Sequence, residues 1–130
     1  MQTFKFGDFE TKIDIADADF MERFEEESEA VAKESEKIEK ELEKTGKRSE
    51  FIRKSCGCAF AYFDRLFGEG TYQLMFGDTV NMRMCNSALY ALFDAVEADQ
   101  KEYNEEVRLG ISNRVGNRSG RRAAKKASGK

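Results

Sequence analysis

Apolar and polar residues alternate twice near the N-terminus, in Thr3-Phe4-Lys5-Phe6 and in Phe9-Glu10-Thr11-Lys12-Ile13-Asp14-Ile15. A period of two marks strands with one buried face. Gly7-Asp8 between the runs is a two-residue Gly-X turn, so the pattern predicts a β-hairpin over about residues 2–15. In that register Phe6 opposes Phe9 and Phe4 opposes Thr11. A lone hairpin is marginal in water, so its apolar face needs the helices or another chain.

The period then changes to that of a helix. Ala16-Asp17-Ala18-Asp19 offers Asp as an N-cap, and Phe20, Phe24, Val31, Ile38 and Leu42 recur at steps of four and seven. This predicts a helix from about Phe20 to Lys44 with one narrow apolar seam. Glu29 and Lys33, like Glu36 and Lys40, stand at the favoured i, i+4 offset on its solvated surface. Phe24, Val31 and Ile38 are spaced as heptads, but the intervening positions are Glu27, Glu34 and Glu41, which argues against a stable coiled coil. Gly46 is a candidate stop and Ser49 a candidate N-cap. The next run, about Glu50 to Phe67, carries Ile52, Cys56, Ala59, Phe60, Phe63 and Phe67 on one face. Phe51, Tyr62 and Leu66 widen that face, so it reads as a core helix. Gly57 inside it suggests a close helix contact.

Leu66 to Gly77 organises the chain. Gly68 and Gly70 bracket Glu69, Gly68 suits a left-handed position, and Thr71 is placed to cap a short turn, Tyr72 to Phe76. Gly77-Asp78-Thr79 breaks again. Asn81 or Thr79 then caps a last helix through Met84, Ala88, Leu89, Leu92, Phe93 and Val96, running on towards Tyr103 and Val107, with Gly110 as its first clear stop. The expected fold is mainly α: a small bundle of three main helices plus a short one, with an N-terminal β-hairpin. Residues 1–109 form the domain, and residues 110–130 are expected to be a disordered, flexible basic arm.

Charge sharpens that division. The net charge is -3, yet all 25 acidic residues precede Gly110, while seven of the 22 basic ones follow it. An acidic body therefore carries a basic tail, with Arg114, Arg118, Arg121, Arg122, Lys125 and Lys126 as its candidate contact residues. The tail has no aromatic side chain to stack on bases, and the acidic body repels a duplex, which argues against nucleic acid as a partner. No 18-residue apolar run is present to span a membrane, and the N-terminus lacks a secretory pattern. Three cysteines in apolar surroundings fit buried, reduced thiols.

The chemistry-bearing residues are few. There is no histidine, which removes the commonest general base and metal ligand. Cys56 and Cys58, two apart on a helix, face about 200° away from each other and cannot share a tetrahedral metal. Gly68-Glu69-Gly70-Thr71 lacks the Lys-Ser/Thr of a phosphate loop and follows a helix. These residues point to no catalytic, metal or cofactor site.

Phe63-Asp64-x-Leu66-Phe67-Gly68-Glu69-Gly70-Thr71, followed by Leu74-x-Phe76-Gly77 and Asn81, resembles the centre of the tail assembly chaperones of long-tailed phages of Gram-positive bacteria. The Phe/Lys-rich opening and the Asp-rich approach to the first helix are also similar. The resemblance spans about residues 1–100 and is specific around Phe63–Asn81. It implies a non-enzymatic protein of the host bacterial cytoplasm. Such a protein binds the long, helical tape-measure protein, with the tail tube protein as a further partner, keeps it soluble during tail morphogenesis, and often oligomerises. A role of this kind needs an exposed apolar groove on a charged surface. Phe60, Phe63, Phe67, Leu74 and Phe76 are the expected partner-binding residues, with the phenylalanines split between core and groove. Gly68, Gly70 and Gly77 are the expected structural turns. Two other readings remain open: a small structural or adaptor protein of the virion, and a nucleic-acid-associated protein acting through its basic tail.

Overall fold

The computed structural model describes the backbone of residues 1–128 and the side chains of residues 1–115. Strands β1 (Gln2–Phe6) and β2 (Phe9–Ile13) lead into helices α1 (Ala18–Thr45), α2 (Arg48–Phe67), the short α3 (Thr71–Phe76) and the long α4 (Met82–Ser128). The fold is mainly α with an N-terminal antiparallel hairpin, as the pattern predicts.

The hairpin register is the predicted one, with Phe6 opposite Phe9 and Phe4 opposite Thr11. Gly7 makes the turn at φ +59°. Phe4 and Ile13 are buried against the helices, which supply the second layer a lone hairpin lacks. Its tip meets the end of α3, where the Asp8 N–H donates to the Leu74 carbonyl at 2.9 Å. That bond satisfies one of the carbonyls a helix end leaves without an internal partner.

Asp17 caps α1 through its carboxylate, which accepts from the Phe20 N–H at 2.9 Å. Gly46 ends the helix in the left-handed conformation, its N–H on the Leu42 carbonyl at 2.7 Å. The next cap differs from expectation. Lys47, not Ser49, precedes α2, and no side chain caps that end. The linker is so short that Ser49 is already inside the helix. Of the expected intrahelical pairs, Glu29–Lys33 closes at 3.1 Å.

The core lies where the hairpin, α2, α3 and the first half of α4 meet. Phe4, Tyr62, Phe63, Leu66, Met75, Phe76, Cys85, Ala88 and Leu92 are all buried there. α1 covers α2 with its seam, burying Ile38 and half-burying Phe20, Phe24 and Val31. Cys56 and Cys85 face each other across α2 and α4. Burial, followed by the neighbouring Cys56 thiol, pushes Cys85 up to about 12, so it stays a neutral thiol at ordinary pH. Cys58, expected to be buried, is only half-buried.

α4 does not stop at Gly110. The helix continues through it to Ser128, and Gly110 does not take the positive φ of a helix-ending glycine. An isolated glycine within a helix costs about 1 kcal/mol against alanine, which weakens a helix without requiring it to end. Of the basic arm only Arg114 falls within the described side chains, where it is exposed. Arg118, Arg121, Arg122, Lys125 and Lys126 lie outside them, as does any side-chain contact of the tail.

A buried carboxylate ties the hairpin to α4. Asp99 accepts from the Ile15 N–H at 2.8 Å and pairs with the Met1 ammonium at 2.7 Å. Burial pushes its carboxyl up, but the ammonium and the Ile15 N–H outweigh that and hold it below its usual 3.8. The bond to Asp99, then that to Glu102, raises the ammonium above its usual 8.0. The ammonium's contribution is therefore complete below about pH 8 and is lost as pH rises through its raised folded value. The carboxylate's is complete above about pH 4 and is lost as pH falls through its depressed one. Thermal melts across this range should show a plateau between these limits with a fall on either side. N-terminal acetylation should lower the plateau and abolish this clamp's alkaline limb.

Candidate functional site

The glycine corner is built from α2 outward. The Gly68 N–H closes α2 on the Asp64 carbonyl at 2.8 Å. Gly68 (φ +120°, ψ 158°) keeps a positive φ that only glycine adopts readily, though not the left-handed helical turn itself, and Gly70 (φ +90°) is the residue that makes that turn. Thr71 is not the cap of α3. It is the first residue of that helix, and its hydroxyl donates back to the Gly68 carbonyl at 2.7 Å. Asp64 does the capping from the preceding helix, its carboxylate accepting from the Tyr72 N–H at 3.0 Å. One carboxylate thus locks α3 onto α2 and fixes the angle of the corner. Gly77 (φ +60°) ends α3, and the Asn81 side chain then accepts from the Met84 N–H at 3.2 Å to start α4.

This corner gathers the expected partner-binding residues, but mostly inward. Phe63 and Phe76 are buried core residues and are not split towards a groove. Phe60 is half-buried and stacks on Tyr72 with ring centres 4.7 Å apart. Phe67 is half-buried beneath the hairpin, 5.7 Å from Phe4 and 5.2 Å from Phe9. Leu74 alone is exposed, at 53%. The physical reason is the hairpin: its own phenylalanines occupy the space a bound partner would need.

Two surfaces stand out instead. The first is the outer face of α4. Ten large apolar side chains are exposed among the described residues, and seven of them (Tyr90, Phe93, Tyr103, Val107, Leu109, Ile111 and Val115) lie on this helix. Phe93 still touches Phe24, with ring centres 6.0 Å apart. From Tyr103 to Val115 every residue is exposed, so no described residue buries that stretch. Tyr103, Val107, Ile111 and Val115 follow each other at four-residue steps and form a drifting stripe on one side. That spacing was available in the sequence, but the charged residues between and the early stop expected at Gly110 obscured it.

The second surface is a groove of about 590 Å³ between α1 and α2. Ala30, Val31, Ile38, Ala61 and Tyr62 contribute its apolar lining, and Gly57 opens it further. A Cβ added at Gly57 would meet nothing within 4 Å, so this glycine lines open space and makes no close helix contact. The Tyr62 hydroxyl is hydrogen-bonded to Ser28 at 3.0 Å, and burial pushes it up to about 12. Glu27, Glu34 and Glu41, the residues that spoil an apolar heptad seam, line this groove. Glu41 pairs with Lys54 at 2.7 Å, the hydrogen bond lowering the carboxyl and raising the amine. Glu27 reaches Arg65 at 3.7 Å. Glu34, between them, has no basic partner among the described residues. The Cys58 thiol in the wall is raised by burial, with the Glu34 charge adding to the effect.

Among the described residues no three His, Cys, Asp or Glu side chains gather where they could hold a metal ion. No described helix is long and apolar enough to cross a membrane. The arrangement offers shape, apolar area and charge, which are the means of binding another chain. No curated protein and no solved structure matches the chain. A family model does, across residues 7–125, and by that match the chain belongs to the family of unknown function DUF6673.

Proposed function

We propose that the chain is a non-enzymatic tail assembly chaperone of long-tailed phages, acting in the host cytoplasm, which binds the tape-measure protein and keeps it soluble until the tail tube assembles round it. The observation that carries this reading is the unpartnered apolar stripe on α4. An α-helix derives most of its stability in a protein from tertiary packing of its apolar face. From Tyr103 to Val115 every residue is exposed, so among the described residues none supplies such packing. An exposed apolar row of this kind marks a surface that meets another protein. A long helical client suits it, because side chains at i and i+4 on one helix pack into the grooves of another. The resemblance of the glycine corner to those chaperones is what points to this family in particular, and the acidic body favours solubility.

Co-expression with a tape-measure protein tests the reading. The wild-type chain should hold the client in the soluble fraction and be captured with it. Tyr103→Asp combined with Val107→Asp should reduce capture at least tenfold, roughly 1.4 kcal/mol or more in binding. Both side chains are exposed, so thermal unfolding of the free variant should match the wild type. A client that stays soluble without the chain, or is captured equally by the variant, would count against the proposal.

A further inference from the structure

The α1–α2 groove and the end of α4 fit each other in length, periodicity and charge, but not within one molecule, because α4 is a continuous helix whose residues 103–115 are all exposed. We propose that the arm of one copy, from Ile111 to Lys125, lies in the α1–α2 groove of a second copy.

The groove presents acids at every seventh residue of α1, Glu27, Glu34 and Glu41. In a helix such residues recur on one side about 10.5 Å apart. The arm carries bases with the same repeat: Arg114 and Arg121 are seven apart, as are Arg118 and Lys125. Together these four fall at i, i+4, i+7 and i+11, which is one stripe of a helix. Ile111, three residues before Arg114, and Val115, three before Arg118, adjoin that stripe and are exposed at 59% and 57%. They match the apolar floor offered by Val31 and Ile38. Glutamates at these positions weaken a seam with an apolar partner, whereas a basic helix in heptad register converts them to contacts that select that partner. Gly57, with no side chain in the wall, leaves room for the approaching helix.

Charge complementarity decides between occupants. Residues 110–130 hold seven basic side chains and no acidic one, while α1 holds eleven acidic against five basic. A nucleic acid would meet the same arm but be repelled by the acidic body beside it. Lys54 and Arg65 at the groove wall are already paired with Glu41 and Glu27. Glu34, at the middle, is the acid left for an incoming base. The arm also needs such a support. It carries Gly110, Gly116 and Gly120, and each costs about 1 kcal/mol of helix stability against alanine. The contact is independent of the client reading, since it uses the groove and Ile111–Lys125 and leaves Tyr103 and Val107 free.

Sedimentation equilibrium of the full chain tests this. In about 0.05 M salt the wild type should sediment above its monomer mass of 14.9 kDa. In about 0.5 M salt its self-association should weaken at least tenfold, because exposed charge pairs are screened. Glu34→Lys and Arg121→Glu should each weaken association at least tenfold with unchanged far-UV circular dichroism. An equimolar mixture of the two should restore it, since each arm then faces a groove of opposite charge. A wild type that stays monomeric in low salt would overturn the proposal. So would variants that associate like the wild type, a mixture that stays dissociated, or an Arg121→Glu change that abolishes DNA retention and leaves the mass unaltered.

Discussion

Replacing Phe63 by alanine should remove about 3–5 kcal/mol of stability, the usual cost of emptying a fully buried aromatic site. Phe63 is 0% exposed and lies at the meeting point of three elements. Its ring stacks on Phe4 of β1 at 6.1 Å, meets Tyr62 of α2 edge-on at 5.3 Å and meets Phe76 of α3 at 6.0 Å. The lost area is therefore shared by the hairpin, the core helix and the glycine corner, and no single neighbour can swing in to fill it. A domain of this size has only about 5–15 kcal/mol of net stability, so the variant should be marginal at room temperature. Urea denaturation should show a lower midpoint with an unchanged slope. A loss below about 1 kcal/mol would mean that the site collapses freely and that the hairpin does not depend on it.

The second large effect is expected from Gly7→Ala. Gly7 sits at φ +59°, where a side chain is strained. An added Cβ would also run into the Met75 carbonyl oxygen and approach the Leu74 carbonyl oxygen to 2.9 Å, and these backbone atoms cannot swing aside as a flexible side chain would. The hairpin tip must then lift from α3, breaking the Asp8 N–H bond to Leu74. Strain and undocking together should cost about 2–4 kcal/mol. Gly46→Ala is the control. Gly46 has nearly the same φ, +67°, but a Cβ there meets nothing within 4 Å. Its cost should be near 1 kcal/mol, and the difference between the two melts measures the docking alone. Equal costs would show that the tip contact adds nothing.

Gly7 and Gly46 also show what the sequence could reveal. Both turns are local, set by backbone conformations that only a few residues tolerate, so the pattern located them and the hairpin register with them. The helical stripes were equally legible, because burial of Ile38, Cys56, Phe63 and Leu92 follows the 3.6-residue period. The partner surface was not. Phe76 and Phe63 share the composition of a binding patch, and only the hairpin folding over them decides that they are core. That long-range contact has no periodic signal. Asp64 is a parallel case: its capping of α3 spans eight residues and a change of direction, while Thr71, the obvious local cap, bonds backwards. The α4 stripe was hidden for a different reason. A glycine at position 110 costs a helix about as much as a weak stop signal suggests, yet it does not impose a left-handed turn.

Under the proposed function, the Tyr103–Leu109 stretch of α4 is open in the free chain and covered by the client. Amide hydrogen exchange measures this directly, in about 0.5 M salt so that exposed charge contacts are screened. In the free protein these amides should exchange far faster than those of Ala88–Leu92 in the buried part of the same helix. On binding the tape-measure protein they should slow at least tenfold while the α2 core is unchanged. Slow exchange over Tyr103–Leu109 in the free chain, or the same fast exchange in the complex, would contradict it.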